Sequence, residues 1–217
     1  PLTPTGLRGK LVRIDFTIMH TALSALEAGL SASISQLQWF MTAFGISFCT
    51  LQVAMGRLGD LIGHRRLLYV GMGGFGLASL AAAGSATALQ LILCRFFQGV
   101  FGAIVFPSGM ALTADAFPVS ERGKALGIYG GLIGVGLATG PVVGGAIISI
   151  ASWKWIFLIN LPIVLISFLI CALFVKEARL LGAQKIDWKG MSLLIIGLGS
   201  SIFFITEGPN LGWLSTP

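Results

Sequence analysis

The amino-acid sequence predicts an all-α integral membrane protein. Two observations carry this prediction: 55% of the 217 residues are apolar and only 10% are charged, and the apolar residues form segments long enough to cross a bilayer. A chain of this size and composition has too little polar surface for a soluble domain. Helices satisfy all backbone hydrogen bonds within one segment, so apolar segments of about 20 residues are expected to be spanning helices.

Seven segments meet this length requirement, and we name them spans one to seven in chain order. They are Leu11–Ser33, Trp39–Gly59, Leu67–Ala86, Leu89–Thr113, Ala125–Ile150, Trp155–Val175 and Met191–Thr206. The connections between them are short, as expected for a compact bundle of helices.

The placement of Lys and Arg explains the net charge of +6. Twelve of the 14 lie near the start of span one or near the connections that follow spans two, four and six. By the positive-inside rule these regions are cytoplasmic. We therefore expect a multi-pass protein of the plasma or inner membrane, with its N-terminus in the cytoplasm and no nucleic-acid partner.

Span one contains an acidic residue, Asp15, in the segment RIDFTIMHTALSAL. Ionisable residues inside membrane helices are rare and commonly mark ion or proton pathways. One interpretation is that Asp15 carries protons within a cavity. The other is that it lies at the cytoplasmic end of a shortened helix, solvated and paired with Arg13.

The connection between spans two and three reads GRLGDLIGHRRLL. Basic residues are usual in a cytoplasmic connection, but an acid gains nothing from the positive-inside rule. Near a helix N-terminus a carboxylate is stabilised by the helix dipole, and it can pair with Arg. The residues that form this candidate conformational loop are Gly56, Asp60, Gly63, Arg65 and Arg66.

Span four places a charge, Arg95, inside the apolar segment LILCRFFQGVFGAI. Such a charge costs at least about 2.5 kcal/mol, so it usually faces a cavity or a partner. The alternative is that the long side chain extends to the nearby membrane interface. The residues that surround Arg95 in a regular pattern are Leu91, Gln98, Gly99 and Gly102.

Span five contains far more glycine than an ordinary helix, because each interior Gly costs roughly 1 kcal/mol relative to Ala. In a bilayer, small residues allow two helix backbones to approach closely. The spaced residues are Gly127, Gly136, Gly140, Pro141, Gly144 and Gly145.

Aromatic and thiol side chains in the remaining segments have simpler interpretations. Trp39, Trp153 and Trp155 fit an aromatic belt at the outer interface. Cys49, Cys94 and Cys171 lie in apolar segments without metal-ligand spacing, so we expect small buried side chains and no metal site.

Several of these patterns resemble motifs of the major facilitator superfamily. The loop G-x3-D-x2-G-x-R-R is similar to the superfamily's most widespread motif, with Leu61 and His64 where Arg is common. Span four resembles the fourth-span motif, with Phe101 in place of a usual Gly. Span five resembles the antiporter motif of drug:proton antiporters. Parts of spans one, two and six resemble the 14-helix branch, although span one departs at His20 and Ser24.

The resemblance implies a function and roles for these residues. It implies proton-coupled efflux of amphiphilic compounds, cationic or lipophilic, driven by the proton gradient without a cofactor. In the family's scheme Arg95 would couple protonation to substrate movement, and Asp15 is a second candidate for this role. The loop would stabilise the outward-open state, and the glycine face of span five would pack against a second bundle.

The resemblance also implies an architecture. Residues 1–175 would form an N-terminal bundle of six helices, built as two inverted three-helix repeats. Residues 176–217 would form a cytoplasmic linker, a seventh span and an outer loop. The chain is then expected to be the N-terminal half of a longer transporter, with a C-terminal bundle as its missing partner.

Two other functions remain open at this stage. One is a specific metabolite or siderophore transporter of the same superfamily; the other is a membrane fragment or assembly subunit that does not transport. An enzyme is not expected, because the sequence shows no nucleotide-binding loop, no HExxH or paired-Cys metal spacing and no nucleophile constellation.

Overall fold

The computed structural model describes residues 26–27, 29–175 and 187–208. All regular structure in these residues is helical, and six of the helices are long and apolar enough to cross a membrane. The prediction of an all-α membrane protein is therefore confirmed. Asp15 and most of span one, the linker residues 176–186 and the outer-loop residues 209–217 lie outside the described residues.

The six described spans follow one another with short connections. They are span two, Ile34–Ile62; span three, His64–Ala83; span four, Ala88–Ala116; span five, Arg122–Ile150; span six, the two helices Trp155–Leu158 and Asn160–Phe174; and span seven, Trp188–Glu207.

Capping residues explain why several spans begin earlier than predicted. Span two begins at Ile34 instead of Trp39, because Ser33 and Gln36 form a reciprocal capping box that supports polar residues in the first turn. Thr87 accepts a hydrogen bond from the backbone of Gln90 and so begins span four. Asp187 does the same for span seven through Gly190.

Spans two, three and four form the centre of the bundle, with span four packed against both of the others. Glycines allow this close approach. A Cβ atom at Gly71 would come within 2.9 Å of the side chains of Ile104 and Val105. The hydroxyl of Ser47 lies 2.9 Å from the carbonyl oxygen of Phe96, which ties span two to span four. These are the interactions that drive helix association in lipid.

We call the end of the bundle with Arg57, Arg65 and Arg122 the basic end, and the other the opposite end. A buried cluster at the opposite end includes Leu37, Leu91 and Trp153. Trp153 is only 7% exposed, so its assignment to an aromatic belt was wrong.

The physical reason is local packing around the Trp153 ring. The ring lies edge-on to Phe157 at a centroid distance of 6.1 Å, and its Nε1 lies where a side chain at Gly29 would be. Trp155, by contrast, is 56% exposed, as a belt residue should be.

Span seven packs beside span two. The rings of Trp39 and Phe203 are 6.1 Å apart, and Gly199 lies against the side chain of Thr50. The expectation that all three cysteines are buried was wrong for Cys49, which is exposed on span two, because its side chain points away from the packed face.

Candidate functional site

The guanidinium group of Arg95 lies between two aromatic rings of span two. Its Cζ atom is 4.9 Å from the ring centroid of Phe40 and 4.6 Å from that of Phe44. Cation–π contacts of this kind are strongest where water is excluded. The Nη1 atom donates to Gln98 Oε1 at 3.3 Å, one turn further along span four. The side chain therefore turns towards the middle of the helix, away from the nearby interface, and this geometry argues against the interfacial alternative.

A chain of hydrogen bonds continues from Arg95 into the bundle. Gln98 Nε2 donates to Ser79 Oγ at 2.7 Å, and Asn160 Nδ2 donates to the same oxygen at 3.4 Å. Gln98 and Ser79 are both completely buried. These hydrogen bonds join spans four, three and six beside the guanidinium of Arg95.

The chain of bonds has a direction, because Arg95 can only donate. Gln98 must present its carbonyl oxygen to the guanidinium and its amide nitrogen to Ser79. The negative end of the Gln98 dipole therefore faces the positive charge. A fixed neutral acceptor stabilises the guanidinium where a carboxylate would otherwise be expected.

Arg95 keeps hydrogen-bonding capacity in this arrangement. Its Nε atom is buried without a hydrogen-bond partner, and in the described part of the chain the guanidinium makes no salt bridge. A buried donor left without an acceptor costs about 1–3 kcal/mol. The surrounding side chains thus stabilise the guanidinium of Arg95 but leave its Nε–H without an acceptor.

Aromatic rings extend from Arg95 towards the middle of the bundle. Phe44 stacks on Phe48 with centroids 5.5 Å apart, and Phe48 meets Phe106 of span four edge-on at 6.0 Å. These rings are half-buried. We call Phe40, Phe44, Phe48 and Phe106 the aromatic row.

A second polar group lies at the basic end, where span two meets span three. The carboxylate of Asp60 is 3.0 Å from His64 Nε2 and 3.5 Å from Arg57 Nη1. The expected pairing of this acid with an Arg is therefore formed by Arg57. Gly63 makes the sharp connection possible, because its φ of 102° is rarely adopted by residues with a side chain.

The two arginines that follow His64 have different environments. Arg65 donates to the hydroxyl of Tyr69 at 3.2 Å and to the carbonyl oxygen of Ala172 at 3.4 Å, which attaches span three to span six. Arg66 is exposed. The prediction of a loop was wrong for all of these residues except Gly63, because the helices of spans two and three extend up to it on both sides. The residues are also not one cluster: Asp60 lines a cavity between spans two and four, whereas Arg65 bonds to span six.

A cavity of about 540 Å³ opens beside Asp60 between spans two and four. Its polar side chains are Arg57, Asp60 and His64, and the remaining lining is mainly apolar. Gly56 lies against Pro107 there, because a Cβ atom at Gly56 would be 3.4 Å from the Pro107 ring.

Four of the spaced glycines of span five have no close neighbour in the described part of the chain. A Cβ atom added at Gly127, Gly136, Gly140 or Gly144 would meet nothing within 4 Å. The helix also includes Pro141 and Gly145, and the side chain of Pro141 lies outside the described residues. Span five touches span four through Tyr129, whose hydroxyl donates to the carbonyl oxygen of Phe106 at 3.4 Å.

The structure brings together only some of the residues selected from the sequence. Gln98 and Gly99 lie beside Arg95 at the contact between spans two and four, Gly102 packs against Phe48 on the same face, and Leu91 belongs to the buried cluster at the opposite end. Sequence reasoning did not assign roles to Ser79 or Asn160. Their signal was available, since each is polar in an apolar span.

Comparison with known proteins decides the family. The family model described as "Major Facilitator Superfamily" matches residues 11–215. The chain belongs to this superfamily. A crystal structure of a peptide transporter POT (E310Q mutant) in complex with sulfate has the same fold, with a TM-score of 0.65 and 14% identity over 90% of this chain and 44% of that one.

Several curated relatives are bacterial resistance or export proteins. The chain is 36% identical to a probable actinorhodin transporter of Streptomyces coelicolor, over 92% of this chain and 35% of the relative. It is 36% identical to the puromycin resistance protein pur8 of Streptomyces alboniger, over 94% and 40%. It is 31% identical to the tetracenomycin C resistance and export protein of Streptomyces glaucescens, over 96% and 41%.

This chain spans less than half the length of each of these relatives. Membership and the six apolar helices identify a multi-pass membrane protein of a small-molecule transporter family.

Proposed function

We propose that this chain forms the N-terminal part of a secondary active transporter that exports drug-like amphiphilic compounds in exchange for protons. The observation that carries the proposal is Arg95, a charge held at membrane depth by Phe40, Phe44 and Gln98. Charges in such positions commonly serve transport. The names of the resistance and export relatives support the direction of transport.

The two polar groups have separate tasks in this proposal. Arg95 links protonation to substrate movement, and Asp15 remains a proposed contributor outside the described residues. The contact between Asp60 and His64 holds one conformation of the alternating-access cycle from the basic end. Binding sites between two rocking bundles are the usual arrangement in such transporters.

The same proposal fixes orientation and partners. The basic end faces the cytoplasm, as the positive-inside rule requires. A C-terminal bundle closes against this one, and the glycine face of span five is part of that contact. The proton gradient supplies the energy without a cofactor, and the chain is not an enzyme.

Transport by inverted membrane vesicles tests the proposal. The protein at its natural length is expressed with Arg95 unchanged, or with Arg95→Ala, and uptake of anionic, neutral and cationic fluorescent drugs is followed after a proton gradient is imposed. Lys154→Ala is the matched control, because it removes a cation that lies outside the central spans. We expect gradient-dependent uptake that Arg95→Ala abolishes and the control retains.

Two results would contradict the proposal. Uptake that persists after an ionophore collapses the gradient would exclude proton coupling. Uptake of one metabolite with no drug uptake would favour a specific carrier of the same superfamily.

A further inference from the structure

We infer that Arg95 and the aromatic row form a binding site for aromatic acids, so that the preferred substrates carry a carboxylate or another ionised oxygen beside a flat ring system. The inference rests on the proposed export function and names the substrate class. It differs from the cationic or lipophilic substrates that the family resemblance implies.

Arg95 has a hydrogen-bond donor without an acceptor. Its Nη1 atom is bonded to Gln98, whereas its Nε atom is buried and has no acceptor. The edge formed by Nε and Nη2 is one that a carboxylate can bridge with two parallel hydrogen bonds. A carboxylate that reached this edge would give Nε an acceptor without competing with Gln98 for Nη1.

Within the described ranges, Arg95 has no acidic partner. None of the acidic residues of these ranges pairs with Arg95; they are Glu27, Asp60, Asp115, Glu121, Asp187 and Glu207. A desolvated cation with only a neutral acceptor attracts an anion strongly. In the same ranges, nothing at this depth would bind an ammonium group by charge.

The guanidinium of Arg95 is already held in place before a ligand binds. Phe40 and Phe44 lie within 5 Å of the guanidinium, and Gln98 is itself fixed by Ser79. Preorganisation lowers the entropy lost on binding. The neighbouring rings of Phe48 and Phe106 are half-buried and offer aromatic surface to the body of the ligand, with a stacking energy that favours flat rings.

Binding of three pyrene compounds tests the inference directly. Pyrenebutyric acid, pyrenebutanol and pyrenebutylamine share one ring system and differ in charge at neutral pH. Each is titrated against the natural-length protein in nanodiscs of zwitterionic lipid, without a proton gradient, and binding is read from pyrene fluorescence after subtraction of empty nanodiscs. We expect the acid to bind about tenfold more tightly than the amine, as for one charge-assisted bidentate contact.

Variants separate charge from shape. Gln98→Glu places a fixed anion beside Arg95 and should remove the preference for the acid, while Gln90→Glu makes the same change at an exposed position of span four and should retain it. Arg95→Gln should likewise remove the preference, and Arg95→Lys should restore part of it. Phe44→Leu should weaken all three compounds together.

The outcomes are distinguishable from failure of the proposed export function. Equal or tighter binding of the amine, or a preference for the acid that survives Arg95→Gln in folded protein, would overturn the inference. A preference for the acid without gradient-driven transport would support this site and refute proton-coupled export. Transport of cationic compounds alone would support export and refute this site.

Discussion

Gln98 of span four donates a hydrogen bond of 2.7 Å to Ser79 of span three, and neither side chain is exposed at all. Water cannot replace this bond in the hydrocarbon region, so each group depends on the other. The pair fixes how span three is rotated against span four. It also orients the carbonyl oxygen that Arg95 uses.

Ser79→Ala should destabilise the protein by about 1 kcal/mol, in the range of hydrogen bonds measured between membrane helices. The reason is that Gln98 Nε2 loses its acceptor while it remains buried. Thermal unfolding in detergent measures the effect. Ser201→Ala is the control, because that hydroxyl is exposed and bonds only within its own helix; an equal loss in both variants would contradict the assigned role.

Gly99→Ala should also reduce the amount of folded protein. A Cβ atom there would overlap the hydroxyl of Ser47 and would lie 2.5 Å from the carbonyl oxygen of Phe44. Forced overpacking of this kind costs about 1–3 kcal/mol. Monodisperse yield by size-exclusion chromatography reports the outcome.

Two further variants test the cause of the Gly99 effect. Gly45→Ala should be tolerated, since nothing lies within 4 Å of its Cβ position. Addition of Ser47→Ala should rescue Gly99→Ala only in part, because the backbone carbonyl of Phe44 remains. Full rescue would show that the backbones are not in close contact.

Gly63→Ala should destabilise the junction between spans two and three by about 1–3 kcal/mol, because a side chain is strained at its φ of 102°. The measurement is again thermal unfolding, accompanied by transport. Gly73→Ala in the interior of span three is the control; with open space at its Cβ position, it should be neutral or slightly stabilising.

His64→Arg should retain transport, because Arg can still reach the carboxylate of Asp60, whereas His64→Ala should lower it. Asp60→Asn should lower transport with little change in stability, since both side chains of the Arg57–Asp60 pair are about one-third exposed and exposed ion pairs contribute only about 0–1 kcal/mol. Initial uptake rates in energised vesicles measure the effect. If His64→Ala transports as fast as the unchanged protein, the contact has no conformational role.

The sequence is sufficient to predict the six described spans and their order, because length and hydropathy decide whether a segment crosses a bilayer. Helix starts were less accurate, since capping by Ser33 or Thr87 extends a helix into polar sequence. The burial of Trp153 was not predictable from its position in the chain. It depends on where Phe157 and Gly29 lie in three dimensions.

The same limit applies to the candidate site. Arg95 is evident from the sequence because a charge is conspicuous in an apolar helix. Its partners Phe40 and Phe44 belong to span two, and no local pattern connects them to span four. Ser79 and Asn160 are polar residues in apolar spans, but only the fold shows that Asn160 and Gln98 both donate to the hydroxyl oxygen of Ser79.

Close contacts at Gly71 and Gly99 have a mechanical consequence. Gly71 brings span three against span four, and Gly99 brings span four against span two. At these contacts the helices are packed so closely that they cannot slide along one another without displacing side chains. Any large motion must therefore rotate the three helices together as one rigid body. A spin-label pair placed on spans two and four should keep its separation through a transport cycle. A displacement of the helices at Arg95 should then produce a corresponding displacement at Asp60, with little internal deformation.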